Sequence, residues 1–247
     1  MQRRGNGWVG QSGLVGVLSA AAFAGCGGEP AESTPPPAAV SSGAEAFSAP
    51  RQGMQVEGLL GTIPSRRIEE TLQAKLPVFQ RCFADGSRDV EKLGGHLKFY
   101  FHVGLDGAVE WVQPRGSSVG HRATELCLLS RAKQVHFPAP KGGGPAEFTW
   151  GFEFEPAEQG QPMLVWEAAQ VASVTEQHRA ELSACGVAEP GHYVVTAYVQ
   201  PGGQVLAAGA ATDTPPDQED LDCVVSQVLA WQFPDPGASG AKVSFPL

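Results

Sequence analysis

The chain has 247 residues, 42% of them hydrophobic and 17% charged, with a formal net charge of −9. That is enough apolar material for one or two folded domains, and the acidic balance excludes nucleic acid as a partner. Its five cysteines and six histidines include no Cys-x2-Cys and no His-x3-His pair, so no zinc site or dithiol redox pair is written here and no cofactor is expected.

Arg3 and Arg4 give the N-terminus a positive start, and Gly13 to Gly25 is an uncharged, mostly apolar stretch of 13 residues. A bilayer span needs about 20 residues, so this length suits a signal h-region. It ends in Phe23-Ala24-Gly25-Cys26, which resembles the lipobox of bacterial lipoproteins, with Phe where Leu is usual. The resemblance implies removal of residues 1–25 and a diacylglycerol on the Cys26 sulfur, an anchor to the membrane that needs no transmembrane helix. The competing reading is ordinary secretion with Cys26 incidental. Gly27, rather than Asp, follows the cysteine, which favours an outer-membrane lipoprotein facing the periplasm. Residues 26–55 hold five prolines and many Ala, Ser and Gly, the composition of a disordered linker. At about 3.1 Å per residue it would reach no more than ~90 Å.

The folded part begins with an apolar run at Val56 to Leu60, read as a short strand. Ile68, Leu72, Leu76, Phe79 and Phe83 then mark one face of a helix, with Pro77 expected to kink it. Leu97, Phe99, Phe101 and Val103 alternate with polar residues as a half-buried strand, which Asp106-Gly107 turns into a second strand from Val109. Leu126, Leu129 and Lys133 lie on a second helix, and Phe148 to Phe154 form the last strand. The order then recurs. Val171, Val174, Leu182 and Cys185 mark a helix, and Tyr193 to Val199 a strand. Thr214-Pro215-Pro216-Asp217 reads as a helix start capped by Thr214, and Val243 to Leu247 as the last strand.

Spacing shows that this recurrence is a duplication. Gly107 lies 20 residues before Cys127, which lies 10 before Phe137-Pro138; Gly203, Cys223 and Phe233-Pro234 repeat the pattern at an offset of 96. A further cysteine precedes each turn, Cys82 and Cys185. The reading is an α+β protein of two tandem β-α-β-β-α-β units, residues 56–157 and 158–247, each an antiparallel sheet with both helices on one face. Four cysteines permit three pairings. The repeat favours one disulfide within each unit, Cys82–Cys127 and Cys185–Cys223.

Three segments carry a family resemblance. Leu76-Pro77-Val78-Phe79-Gln80-Arg81-Cys82-Phe83, the hairpin from Gly94 through Gly107, and Cys127 followed by Phe137-Pro138-Ala139-Pro140-Lys141-Gly142-Gly143-Gly144 resemble the AgmX/PglI C-terminal domains of gliding-motility proteins. These are in turn similar to the TonB C-terminal fold. The resemblance covers Val56 to Pro156 well and Leu164 to Leu247 in outline. It implies capture of an extended partner segment by strand addition, and the edge expected to do this is the last strand of the first unit, through Phe148, Thr149, Trp150, Gly151 and Phe152. The energy-transducing members carry a transmembrane helix, and only a cleavable signal and a lipid are expected here.

One catalytic string competes. Gly116-Ser117-Ser118-Val119-Gly120 is a G-x-S-x-G between a strand and a helix, as a nucleophile elbow requires. A unit of about 90 residues built on a hairpin cannot supply the parallel sheet of an α/β hydrolase. Ser118 would become a serious nucleophile if His96, His102 or His136 reached it with a carboxylate behind. Charge is also unevenly divided: residues 56–157 hold 12 acidic and 12 basic residues, whereas 158–247 hold 11 and 2. This acidity serves solubility or a basic partner, and part of it (Asp217, Glu219, Asp220, Asp222) complements a helix N-terminus. The expected function is a lipid-anchored, non-catalytic module binding an envelope protein or peptidoglycan, with an envelope serine hydrolase using Ser118 as the alternative.

Overall fold

Apolar spacing translates directly into the first helix. Ile68, Leu72, Phe79 and Cys82 are buried residues of α1 (Ser65–Gly86), which runs unbroken through Pro77 although that ring removes one helical N–H. Strand β1 (Gly95–Val103) buries Leu97, Phe99, Phe101 and Val103 and turns its even-numbered residues to the other face. β2 (Val109–Ser117), α2 (Arg122–Lys133) and β3 (Ala146–Phe154) complete the first copy. The second copy comprises β4 (Leu164–Trp166), α3 (Ala172–Leu182), β5 (Tyr193–Val199), β6 (Val205–Thr212), α4 (Gln218–Leu229) and β7 (Ala241–Pro246). This computed structural model describes residues 60–158, 160, 162–187, 192–213 and 217–247. The expected signal peptide, Cys26, the linker, most of the strand at 56–60 and the Thr214 cap fall outside them.

The fold is α+β, with two sheets and two disulfides. The sheets have the orders β2-β1-β3 and β4-β7-β5-β6. All pairings are antiparallel except β4, which joins β7 in parallel. Helix α4 starts at Gln218 rather than near Pro215, because Asp217 takes an extended conformation and its side chain accepts the Glu219 N–H at 2.9 Å. Disulfides join Cys82 to Cys127, pinning α1 to α2, and Cys185 to Cys223, pinning the 3-10 turn that follows α3 to α4, with Cα–Cα distances of 5.7 and 5.4 Å.

The offset of 96 reappears as hydrogen bonds. Phe137 N–H donates to Gly107 O at 2.8 Å, and Phe233 N–H to Gly203 O at 2.9 Å. Gly107 and Gly203 sit at φ of 90° and 84°, and a Cβ on either would run into the carbonyl oxygen of Phe137 or Phe233. The turn glycine and the Phe-Pro segment are therefore two halves of one contact, which is why they travel together in the sequence.

In the second copy, one face of the sheet packs Val195, Ala197, Val199, Ala208 and Ala210 against residues of α3 and α4. Its opposite face is not left to solvent. Tyr198 and Ala207 belong to the hydrophobic core of the first copy, and the Tyr198 hydroxyl exchanges hydrogen bonds with Gly94 N–H and O, both at 3.1 Å. Arg122 spans the same junction, donating from Nε to Asp222 at 2.6 Å and from Nη2 to the Gln218 side chain at 3.1 Å. The copies thus pack as one unit, and part of the acidic cluster is spent inside it.

Candidate functional site

Strand β3 is an edge of its sheet, with no strand on its far side among the described residues. Backbone direction follows from β1. The His96 carbonyl accepts the Ser118 N–H at 2.8 Å on the β2 side, and Pro114, which has no N–H, stands opposite Phe99. Alternation along β1 therefore sends the polar groups of Leu97, Phe99 and Phe101 toward β3, where their partners are Phe152, Trp150 and Phe148. Thr149 and Gly151 then direct N–H and C=O to the open edge, and both residues are exposed. The aromatic side chains serve the interior more than the edge. Phe152 lies 4.6 Å from Phe79, and Phe148 5.2 Å from both Phe101 and Phe137; Trp150 is half-buried.

The outward face of this sheet carries a polar-aromatic cluster. His102 Nδ1 lies 2.8 Å from Glu147 and its ring stacks on Trp111 at 4.8 Å, while Tyr100 donates to Glu147. Those hydrogen bonds hold the Glu147 carboxyl below its ordinary range. The Arg115 guanidinium sits 4.7 Å above the Tyr100 ring.

Ser118 does meet a histidine. Its Oγ stands 2.8 Å from His96 Nδ1 and accepts the His96 backbone N–H at 3.1 Å. Burial, aided by Lys98 and Lys242, lowers the His96 pKa and favours a neutral ring, while Glu153 opposes the shift. Glu153 is the cross-strand partner of His96, yet no hydrogen bond joins their side chains. The decisive geometry concerns the oxyanion. Ser118 N–H is bonded to His96 O, and Val119 N–H to Ser117 Oγ at 3.1 Å. A nucleophile elbow needs such donors free, and here they are committed to holding the loop. His102 belongs to the Glu147 cluster, and His136 bridges Ala108 at the turn.

Beneath that loop lies a feature the sequence did not reveal. Glu125 is buried, accepts the Ser117 hydroxyl at 2.7 Å through Oε1, and has no partner for Oε2. Burial raises its pKa. Its carboxylate lies against Gly209 of β6, where any Cβ would collide with it. Lys242 approaches the same junction from β7, donating to Gly94 O at 2.7 Å, and burial lowers its pKa to about 8.

Among the described residues no group of three His, Cys, Asp or Glu side chains is placed to hold a metal ion, and no helix is long and apolar enough to cross a membrane. No protein-family model, curated protein or solved structure matches this chain.

Proposed function

We infer that the protein is a lipid-anchored, non-catalytic interaction module of the cell envelope, tethered through Cys26, which captures an extended segment of an envelope partner along β3. The observation that carries this reading is the open edge at Thr149 and Gly151, with backbone donors and acceptors directed outward and exposed. The lipobox-like Phe23-Ala24-Gly25-Cys26 and the resemblance to TonB-type C-terminal domains support it. The acidic second copy favours encounter with basic surfaces. A photocrosslinker at Thr149 of the intact lipoprotein, in its own cells, is expected to trap one partner. Thr149→Pro and Gly151→Pro are expected to lose that partner while both disulfides still form. Pro variants that fold and retain the partner would rule the mechanism out. Mass spectrometry of the mature N-terminus checks the anchor: a chain beginning unmodified at Gly27 or later removes it.

The 2.8 Å contact between Ser118 and His96 is the specific observation favouring the hydrolase alternative. A fluorophosphonate probe distinguishes the readings. Labelling of folded protein that vanishes in Ser118→Ala supports the hydrolase; committed backbone donors predict no labelling.

A further inference from the structure

A groove runs along the junction of the two copies, with a volume of about 460 Å³, walled by Gly94, Pro156, Met163 and Val165 and carrying Lys92 and Lys242. That volume falls within the ~300–1,000 Å³ usual for small-ligand sites. Lys92 is engaged with the Ala157 carbonyl at 2.7 Å. Lys242 differs. Its ammonium makes one hydrogen bond, to Gly94 O, and lies 5.2 Å from the centre of the Tyr198 ring. No carboxylate comes within ion-pair reach of it among the described residues, Glu125 acting only through its field. An ammonium has three donors, so a desolvated cation with two donors to spare stands at the wall of a largely apolar groove.

We propose that this groove binds a monoanionic carboxylate with an extended apolar body, of the fatty-acid class, its carboxylate on Lys242 and its chain along Pro156, Met163 and Val165. The polarity of the site selects that chemistry. One uncommitted ammonium matches one negative charge, and Glu158 on the lining repels a dianion such as a phosphate monoester. The apolar walls offer nothing to a short polar anion, and a neutral alcohol of the same length leaves Lys242 uncompensated. The site is independent of the β3 edge and of the Ser118 hydroxyl.

The groups facing Lys242 set the pH response: Glu125 from α2, His96 and the Gly94 carbonyl at β1, Tyr198 from β5, and Lys92 and Glu158 along the groove. Tyr198 is pushed up to about 12 and stays neutral, and His96 is lowered and does not gain charge above pH 7. Lys242, near 8 when unliganded, is the group that changes charge between pH 7 and pH 9.5.

Isothermal titration of the purified, partner-free chain tests the proposal, with decanoate as probe and acetate and 1-decanol as controls. Decanoate should bind saturably at one site, with decanol at least on the order of tenfold weaker for want of one charge-assisted hydrogen bond, and acetate at least on the order of tenfold weaker for want of the buried chain. Lys242→Met should weaken decanoate by a similar factor. Val165→Ser, at a side chain that is 80% exposed and so tolerant of change, removes apolar wall beside Lys242 without adding charge and should also weaken it. Affinity should fall as pH rises through about 8 in the parent chain and stay flat in Lys242→Arg. Absence of saturable binding, equal affinity for decanol, or unchanged affinity in Lys242→Met and Val165→Ser would each overturn the site. Thr149→Pro should bind decanoate normally, so failure here leaves the edge-capture reading intact.

Discussion

Glu125 has a carboxylate out of water with one oxygen unbonded, and this cost depends on pH. The unfolded chain releases the Glu125 proton near 4.5, whereas burial makes the folded chain hold it to higher pH. In that window the unfolded state binds fewer protons, so stability falls as pH rises, and above it the penalty is fully present. Glu125→Gln keeps an oxygen for Ser117 and removes the charge. Its melting temperature should match that of the parent near pH 4 and exceed it at neutral pH by about 1 kcal/mol of stability or more; a gap that does not widen with pH would show that Glu125 is not the source. Two glycines make a second residue-level contrast. Gly116 has a φ of 92° with nothing within 4 Å of an added Cβ, whereas Gly107 combines a φ of 90° with the Phe137 carbonyl. Gly116→Ala should cost about 1–2 kcal/mol, the price of left-handed backbone alone. Gly107→Ala should cost clearly more, as read from urea midpoints.

Proline scanning along β3 tests its backbone directions without reference to any partner. Trp150→Pro removes an N–H that bonds β1 and should destabilise by about 3 kcal/mol, whereas Thr149→Pro and Gly151→Pro should cost far less. Equal losses at all three positions would show the register to be wrong. At this scale much was legible in the sequence. Alternation gave β1, helical spacing gave α1, and the repeated cysteines gave both disulfides. The Ser118–His96 meeting was hidden by a single residue. Counting back from Asp106-Gly107 in the register of Phe99–Pro114 would place His96 opposite Ser117; a bulge at Arg115-Gly116 adds one residue to β2 and delivers Ser118 instead. Strand β4 is the first strand that the β-α-β-β-α-β order asks of the second unit, but it was not placed on particular residues because three of them, Leu164 to Trp166, show no period. The start of α4 was misplaced because Thr214-Pro215 and Asp217 are both credible caps, and propensity does not choose between them.

The packing of one copy on the other was not legible, since each copy read as a self-sufficient unit with one solvated sheet face. A signal was nonetheless present. Residues Ala207-Ala208-Gly209-Ala210-Ala211 of β6 lack alternation, and all are buried, as in strands covered on both faces. The consequence for the whole chain is a single cooperative unfolding event. Denaturation followed by Trp150 in the first copy and by Trp231 in the second should give coincident midpoints; separated transitions would contradict the shared core. Residues 158–247 expressed alone should be less stable than the same segment within the chain or should self-associate, because Thr196, Tyr198, Ala207 and Ala211 would meet water.

The small residues of β6 also bear on how such a chain diverges after duplication. Once Gly209 and its alanine neighbours occupy a face sized to its sister, regaining a solvent-ready surface takes several changes at once, while the first copy still displays Tyr100, His102 and Glu147 on the corresponding face. The copies have ceased to be interchangeable. Deleting the leading copy would strip that small-residue face of the surface it packs against in this chain, so the two halves persist together or not at all.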